Sequence, residues 1–288
     1  MPNPSKHILV TGAGGQLGNE LKDIAPAHSA YQFFFVTKDE LSISDDRSVQ
    51  TFFKEHAIDC CINCAAYTAV DKAETEQDLA FTINAEAVGK LAVACKIQNS
   101  RFIHISTDYV FDGTSTVPYK EDDPICPINV YGASKLKGEE LALEQDPHST
   151  IIRTSWVYSS YENNFVKTMM RLMKERENIN VVNDQWGCPT FAADLAGVIM
   201  KLVEHPSASS NIFNYCNEGS ITWYDFALAI KEFTGSNCQV NPIPSSAYPT
   251  LSKRPHYSVL DTTRIRQQLN ISIPRWKESL EQCLSRMK

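Results

Sequence analysis

The stretch His7-Ile8-Leu9-Val10-Thr11-Gly12-Ala13-Gly14-Gly15-Gln16-Leu17-Gly18 decides how the rest of the chain is read. Its apolar first half has the length and composition of a buried strand. Beyond Gly15, apolar residues recur at helical spacing through Ile24. Glycines at 12, 15 and 18 therefore fall where a strand turns into a helix. One permits a tight turn, one lets backbone N–H groups approach a pyrophosphate at the helix N-terminus, and the last allows the helix to pack closely on the sheet. Glycine spacing alone is weak evidence, but here both flanking elements are legible. The stretch reads as a dinucleotide-binding turn, with Gly12, Gly15 and Gly18 around the cofactor.

The rhythm set by this unit repeats. Strands are expected at His7 to Thr11, Gln32 to Thr37, Cys60 to Cys64, Phe102 to Ser106 and Thr150 to Thr154. Helices are expected between them at Gln16 to Ile24, Ser48 to His56, Asp78 to Gln98 and Val130 to Glu144, with Asp45 and Asp46 placed to cap the second. Strands alternating with helices imply an α/β fold, a doubly wound parallel sheet of Rossmann type, whose strand carboxyl ends share one crevice.

After residue 155 the rhythm loosens. Helices are expected at Phe165 to Arg176, Ala192 to Glu204 and Thr222 to Phe233, with a short strand at Ile212 to Tyr215. A loop runs from Asn183 to Thr190 and a proline-rich one from Pro242 to Pro255. The expected organisation is a dinucleotide-binding domain over residues 1–155 and a smaller substrate-binding cap over 156–288, some of whose segments return to the first domain.

Composition narrows the class. At 288 residues, 43% hydrophobic and 21% charged, the chain has the balance of a globular protein. Its formal charge of −7 argues against a general grip on nucleic acid. No apolar run approaches the roughly 18–20 residues of a membrane span, and the first ten residues lack a signal peptide's apolar region. A cytoplasmic site is expected. Nine cysteines, odd in number and mostly inside apolar segments, fit reduced buried thiols. Cys61 and Cys64 form a C-x-x-C inside a strand with no second ligand pair, so packing is the expected role and no metal is predicted.

At the end of the second strand an NAD site usually supplies an acid to the adenine ribose. This chain has Thr37 and Lys38, a hydroxyl and an ammonium that would accept a 2′-phosphate, so NADPH is favoured, with NADH possible. Asp39 lies close enough to blur that choice. Small residues after the third strand, Ala65 and Ala66, would let a flat cofactor lie across the sheet edge.

Tyr131-Gly132-Ala133-Ser134-Lys135 puts a phenol and an ammonium on one helix face. The pair gains meaning from chain order: glycine turn, then Ser106-Thr107-Asp108 ending the fourth strand, then this helix. A free phenol titrates near pH 10, and a nearby ammonium would lower that value. The expected set is Tyr131 as proton donor to a ketone oxygen, Lys135 as its tuner and Thr107 as a hydrogen-bond donor to the same oxygen.

Several longer stretches go beyond these generic motifs. They are Thr11 to Glu20, Cys64 to Glu74, Ser106 to Phe111, Asn129 to Lys135, Arg153 to Tyr158, Asn163 to Met169 and Asn183 to Thr190. On them, from Ile8 to about Trp276, the chain resembles the extended short-chain dehydrogenase/reductases and, within them, the reductases of dTDP-4-dehydro-L-rhamnose. The resemblance implies the catalytic set Thr107, Tyr131 and Lys135. It implies Gly15 to Leu17, Thr37, Ser42, Ile43 and Ala66, Tyr67 and Thr68 around the cofactor, and Thr107, Asp108, Trp156 and Arg254 at a dTDP-sugar. It also implies a possible homodimer. Relatives often carry acids at the positions of Thr37 and Ser42. Some bind Mg²⁺ between subunits through glutamates. Glu20 matches one of these, and Ala193 stands where another would be.

Sugar-nucleotide dehydratases share the scaffold but resemble Thr-Asp-Glu where this chain has Thr107-Asp108-Tyr109, so a base for C5 is missing. Two alternatives stay open at this point: a sugar-nucleotide epimerase, and a non-enzymatic binding protein like the regulatory subunit of methionine adenosyltransferase.

Overall fold

The computed structural model describes residues 6–205 and 211–287. Its centre is a six-stranded, wholly parallel sheet built from β1 (Lys6–Thr11), β2 (Tyr31–Val36), β3 (Cys60–Asn63), β4 (Arg101–Thr107) and β5 (Thr150–Thr154), with a sixth strand from the second half of the chain. Each helix fills the connection that parallel pairing requires: α1 (Gln16–Ile24), α2 (Asp46–Glu55), the short α3 (Val70–Ala73), α4 (Gln77–Phe81), α5 (Ala87–Gln98) and α6 (Val130–Gln145).

Side-chain alternation along the strands separates two cores. Ile8, Val10, Ile62, Ile103 and Ile152 face Leu17 and Leu21 of α1, whereas Leu9, Cys61, Phe102 and Ile151 face α2, α5 and Ala142 of α6. A period of two on a sheet clad on both faces makes most strand positions apolar, hence the long apolar runs in the sequence.

The second half contributes β6 (Val157–Tyr158), α7 (Phe165–Glu175), β7 (Asn178–Val182), β8 (Trp186–Gly187), β9 (Thr190–Phe191), α8 (Ala192–Glu204) and β10 (Ile212–Asn214). It continues through β11 (Ile221–Thr222), α9 (Trp223–Thr234), β12 (Gln239–Ile243), α10 (Thr263–Leu269) and α11 (Trp276–Ser285). Helices α7, α9 and α11 enclose a separate apolar cluster with β7 and β12, which includes Val166, Met169, Phe226, Ile230 and Leu280. By contrast α8 lies on the α1 face of the large sheet, and β10 pairs with β5 to give the order β10-β5-β4-β3-β1-β2.

Several boundaries differ from the expected ones. The expected single helix from Asp78 to Gln98 is interrupted by a π turn over Thr82–Glu86. The wider turn lets the buried Asn84 leave the helical ladder and hold both backbone groups of Tyr67, at 2.8 and 3.0 Å, and the Ser134 hydroxyl at 3.0 Å. The second helix starts at Asp46, not Ser48, because the Asp45 side chain accepts from the amides of Arg47 and Ser48; Asp45 is the cap and Asp46 its first turn. The expected loop at Asn183 to Thr190 contains β8 and the first residue of β9. All nine cysteines are free thiols.

Strand order reverses between β1 and β3: the chain passes from β1 outward to β2, then returns to β3 on the other side of β1. A crevice at the carboxyl ends of these strands is the expected consequence.

Candidate active site

A cleft of about 880 Å³ opens there, floored by the sheet ends and walled on the far side by Trp156, Trp223 and Arg254. The glycine turn forms one end. Gly12 has φ +66°, and a Cβ on it would stand 2.6 Å from the backbone nitrogen of Ala65, so no other residue fits this bend. Gly15 is the N-cap of α1 and supplies no side chain to its free amides, nor is there an acid in the first turn. The helix start is thus an open, partly positive nest suited to a pyrophosphate. Gly12, Gly15, Gln16 and Leu17 line the cleft; Gly18 does not. A Cβ on Gly18 would meet Ala13 Cα at 2.6 Å, so its smallness serves the packing of α1 on the turn.

Along the same end lie Thr37, Lys38, Ser42 and Ile43, and beyond them Ala65, Ala66 and Thr68. Tyr67 does not line the cleft: its hydroxyl donates to Glu76 at 2.7 Å and its backbone is tied to Asn84. The expected free hydroxyl of Thr37 is engaged. Both its amide and its Oγ1 donate to Glu40 Oε2, each at 2.8 Å, which holds the Glu40 carboxyl below its usual range. A carboxylate therefore does sit at the end of β2, reached from three residues downstream.

At the other end, Thr107 closes β4 and its hydroxyl donates to Asp108 Oδ1 at 3.0 Å. The second oxygen of Asp108 is buried with no hydrogen bond of ordinary geometry, and burial, opposed by the nearby Ser258 and Thr107 hydroxyls, pushes the carboxyl up to about 7. Tyr131 begins the second residue of α6, whose cap is Asn129, accepting from the Gly132 amide at 2.7 Å. Gly132 is required because a Cβ would strike the Tyr109 carbonyl at 2.2 Å. The Tyr131 ring is half-buried, packs edge-on to Tyr109 at 5.7 Å and lines the cleft with Thr107 and Lys135.

The expected tuning of Tyr131 by Lys135 is not the arrangement observed. Nζ of Lys135 lies on the sheet, 2.6 Å from the Ile105 carbonyl and 3.1 Å from His104 Nε2. Burial moves the phenol above its ordinary value, opposed by the Thr107 hydroxyl, and lowers the lysine to about 8. With the cleft wall desolvating both groups, neutral phenol and weakly basic amine are favoured. That leaves Tyr131 protonated, as a proton donor must be.

Trp156 adopts φ +48°, a left-handed conformation that costs a bulky residue about 1–2 kcal/mol. It is held there by face-to-face stacking on Trp223, with centroids 3.5 Å apart and planes at 11°, and by Gly187, where a Cβ would reach its ring at 2.5 Å. Arg254 lines the cleft while its Nη2 donates to Asp71 Oδ2 at 2.7 Å, so the loop ion pair and a cleft position coexist. Glu20 is buried away from this wall, accepting from Ser159 at 2.6 Å and from Arg286 at 2.9 Å.

Nothing in the sequence marks Trp223, Glu40 or His104 as part of the site, and Tyr109 enters it only as the residue in place of a dehydratase glutamate. Tyr109 was visible inside a quoted motif. His104 sits in an apolar strand with no spacing to mark it, and Trp223 is brought to the cleft only by the packing of α9.

With this geometry in place, relatives can be compared. The sequence pattern described as RmlD substrate binding domain matches residues 6–288. The chain belongs to this family. A dTDP-4-dehydrorhamnose reductase of Aggregatibacter actinomycetemcomitans is 41% identical over 284 residues, covering 95% of this chain and 97% of the relative. Among solved structures, a dTDP-4-dehydrorhamnose reductase from Clostridium acetobutylicum superposes with a TM-score of 0.94 at 38% identity, covering 98% and 99% of the two chains. One from Bacillus anthracis, in complex with NADP, gives 0.94 at 39% identity with the same coverage.

Proposed function

We propose that this RmlD-family chain is an NADPH-dependent reductase of the 4-keto group of dTDP-4-dehydro-L-rhamnose, giving dTDP-L-rhamnose. The observation that carries the reading is the meeting of an uncapped glycine turn with Thr107, Tyr131 and Lys135 around one cleft, in a chain that matches reductases end to end.

The residues fit the cofactor. Gly12 and Gly15 leave room for a pyrophosphate on the free amides of α1, Thr37 and Lys38 face its adenosine end, and Ala65 and Ala66 flank its flat middle. When bound, NADPH supplies the hydride that reduces the keto carbon. Tyr131 provides the proton for the keto oxygen, and the Thr107 hydroxyl turns from Asp108 to donate to that oxygen as charge develops. Asp108, on the cleft wall beside Thr107, accepts from a sugar hydroxyl. Trp156, stacked on Trp223, offers an apolar face to the sugar, and Arg254 offers its guanidinium to the diphosphate.

The reading extends to a homodimer acting in the cytoplasm. Among the described residues no helix is long and apolar enough to cross a membrane. Light scattering after size-exclusion chromatography tests the dimer.

The decisive assay mixes purified chain, NADPH and dTDP-4-dehydro-L-rhamnose and follows the reduced nicotinamide absorbance. Stoichiometric consumption is expected. No consumption would favour a binding subunit, and stoichiometric NAD retained through dialysis would favour an epimerase.

A further inference from the structure

Beneath the cleft a buried string of polar side chains, unused by the chemistry above, leads to Lys135. Thr11 Oγ1 donates to Asn63 Oδ1 at 2.6 Å; Asn63 Nδ2 lies 3.0 Å from His104 Nδ1; and His104 Nε2 lies 3.1 Å from Lys135 Nζ. Thr11, Asn63 and His104 are fully buried and Lys135 is 1% exposed, so water does not complete these bonds. The three strands β1, β3 and β4 each contribute one member, in register: Thr11 pairs with Asn63, and Asn63 with His104.

The direction of each bond can be assigned by counting protons. The backbone amide of Ala65, whose hydrogen is fixed, donates to Asn63 Oδ1 at 3.2 Å. This places the amide oxygen of Asn63 toward Ala65 and Thr11 and its NH₂ toward His104. His104 Nδ1 must then be an acceptor. A neutral imidazole that accepts on Nδ1 carries its proton on Nε2, and that N–H points at Lys135 Nζ. An amine accepts it while donating to the Ile105 carbonyl at 2.6 Å. An ammonium has no lone pair and meets the N–H as a second donor.

We propose that His104 is a positioning residue for Lys135: through a tautomer fixed by Asn63 it holds Nζ on the sheet only as the neutral amine, and protonation frees the side chain for the cleft and Tyr131. The role rests on the reductase reading for its catalytic consequence, though not for the tautomer itself. Other groups facing the lysine do not reverse this preference. Cys64 at the end of β3 is a thiol that burial keeps protonated. Glu139, one turn further along α6, is engaged by Arg153 and Ser106. Tyr131 is a neutral phenol. Burial keeps His104 uncharged, with its value well below the ordinary one.

Two measurements test this on the full chain. First, nitrogen-15 spectra of the imidazoles, with His104→Gln to assign the signal, read the tautomer without any turnover. A neutral His104 protonated on Nε2 from about pH 5.5 to 9, the range in which an ordinary histidine titrates and beyond, is expected. A proton on Nδ1, or an imidazolium appearing in that range, overturns the proposal even if the chain reduces its substrate normally. Second, the pH profile of kcat/KM tests the consequence. In His104→Gln the amide can turn its oxygen toward Nζ and favour the ammonium, so the alkaline limb is expected to move up by about 0.5 pH unit or more, about threefold in proton concentration. A limb that stays in place or moves down overturns it. Should that variant fold poorly, Asn63→Asp places an acceptor opposite Nδ1; the His104 proton is then expected on Nδ1, and its persistence on Nε2 overturns the proposal.

Discussion

The Arg153 guanidinium and the Glu139 carboxylate meet side-on, with Nε 3.0 and 3.2 Å from the two oxygens and Nη2 2.7 Å from Oε2, and neither residue is more than 2% exposed. The pair ties β5 to α6, the helix that carries Tyr131 and Lys135. It is further satisfied by the Glu121 carbonyl at 3.0 Å and by the face of Phe111 under the guanidinium. A buried pair adds little over an apolar core, but losing one partner strands the other charge. Glu139→Gln is therefore expected to lower unfolding free energy by about 3–5 kcal/mol in urea titrations at pH 7. The double variant Glu139→Leu/Arg153→Met should regain much of it. A single variant as stable as the parent would mean the charge finds water.

Asp108 predicts a stability that depends on pH in an unusual direction. Its carboxyl titrates near 7 when folded, against about 4 in an unfolded chain. Because the folded form holds its proton to higher pH, folding takes up a proton between those values. The contribution of Asp108 thus falls as pH rises from about 4 to 7 and stays low above. Asp108→Asn is expected to melt above the parent at pH 8, by an amount on the order of 2–4 kcal/mol, and with the parent at pH 4. It should also weaken sugar-nucleotide binding. Equal melting at pH 8 would show that the carboxyl is not desolvated as described.

Gly12→Ala isolates the turn. The new methyl would require φ near +66° in an L-residue and would stand 2.6 Å from Ala65 N. The turn has to open, moving Gly15 and the free amides of α1 away from a pyrophosphate. NADPH affinity measured by fluorescence titration is expected to fall at least about tenfold, a loss of roughly 1.4 kcal/mol, with the melting temperature reduced as well. Unaltered affinity would place the cofactor elsewhere.

What the sequence made legible follows from how locally each feature is encoded. The strands β1, β3, β4 and β5 declare themselves because both faces are covered, and the turn at Gly12 because its glycines have local steric causes. The π turn at Thr82–Glu86 was hidden, since it is specified by what Asn84 meets, Tyr67 and Ser134, far away in sequence. Trp223 was hidden for the same reason: its partner Trp156 lies 67 positions earlier and reaches it only through a positive φ. Lys135 was located but its partners were not, because a strand histidine in an apolar run looks like any core residue until the neighbouring strands are set in register.

In the proposed reaction Tyr131 gives the proton, and replacing its hydroxyl tests that role. Tyr131→Phe keeps the ring against Tyr109 and leaves the glycine turn untouched, so NADPH affinity is expected to remain within about twofold, a difference of roughly 0.4 kcal/mol. Turnover should fall by about 10²–10⁴, the usual worth of a positioned general acid. Lys135→Met bears on the neighbouring group. If the lysine only sets the phenol's proton affinity, kcat falls and cofactor affinity holds; if it also grips the cofactor, both fall together. Burial raises the phenol, so the rate should not rise toward alkaline pH as it would for a reaction needing phenolate at the outset. A Tyr131→Phe enzyme that turns over at the parent rate would transfer the proton donor's role to another group on the cleft wall, with Asp108, protonated up to about pH 7, the first to test.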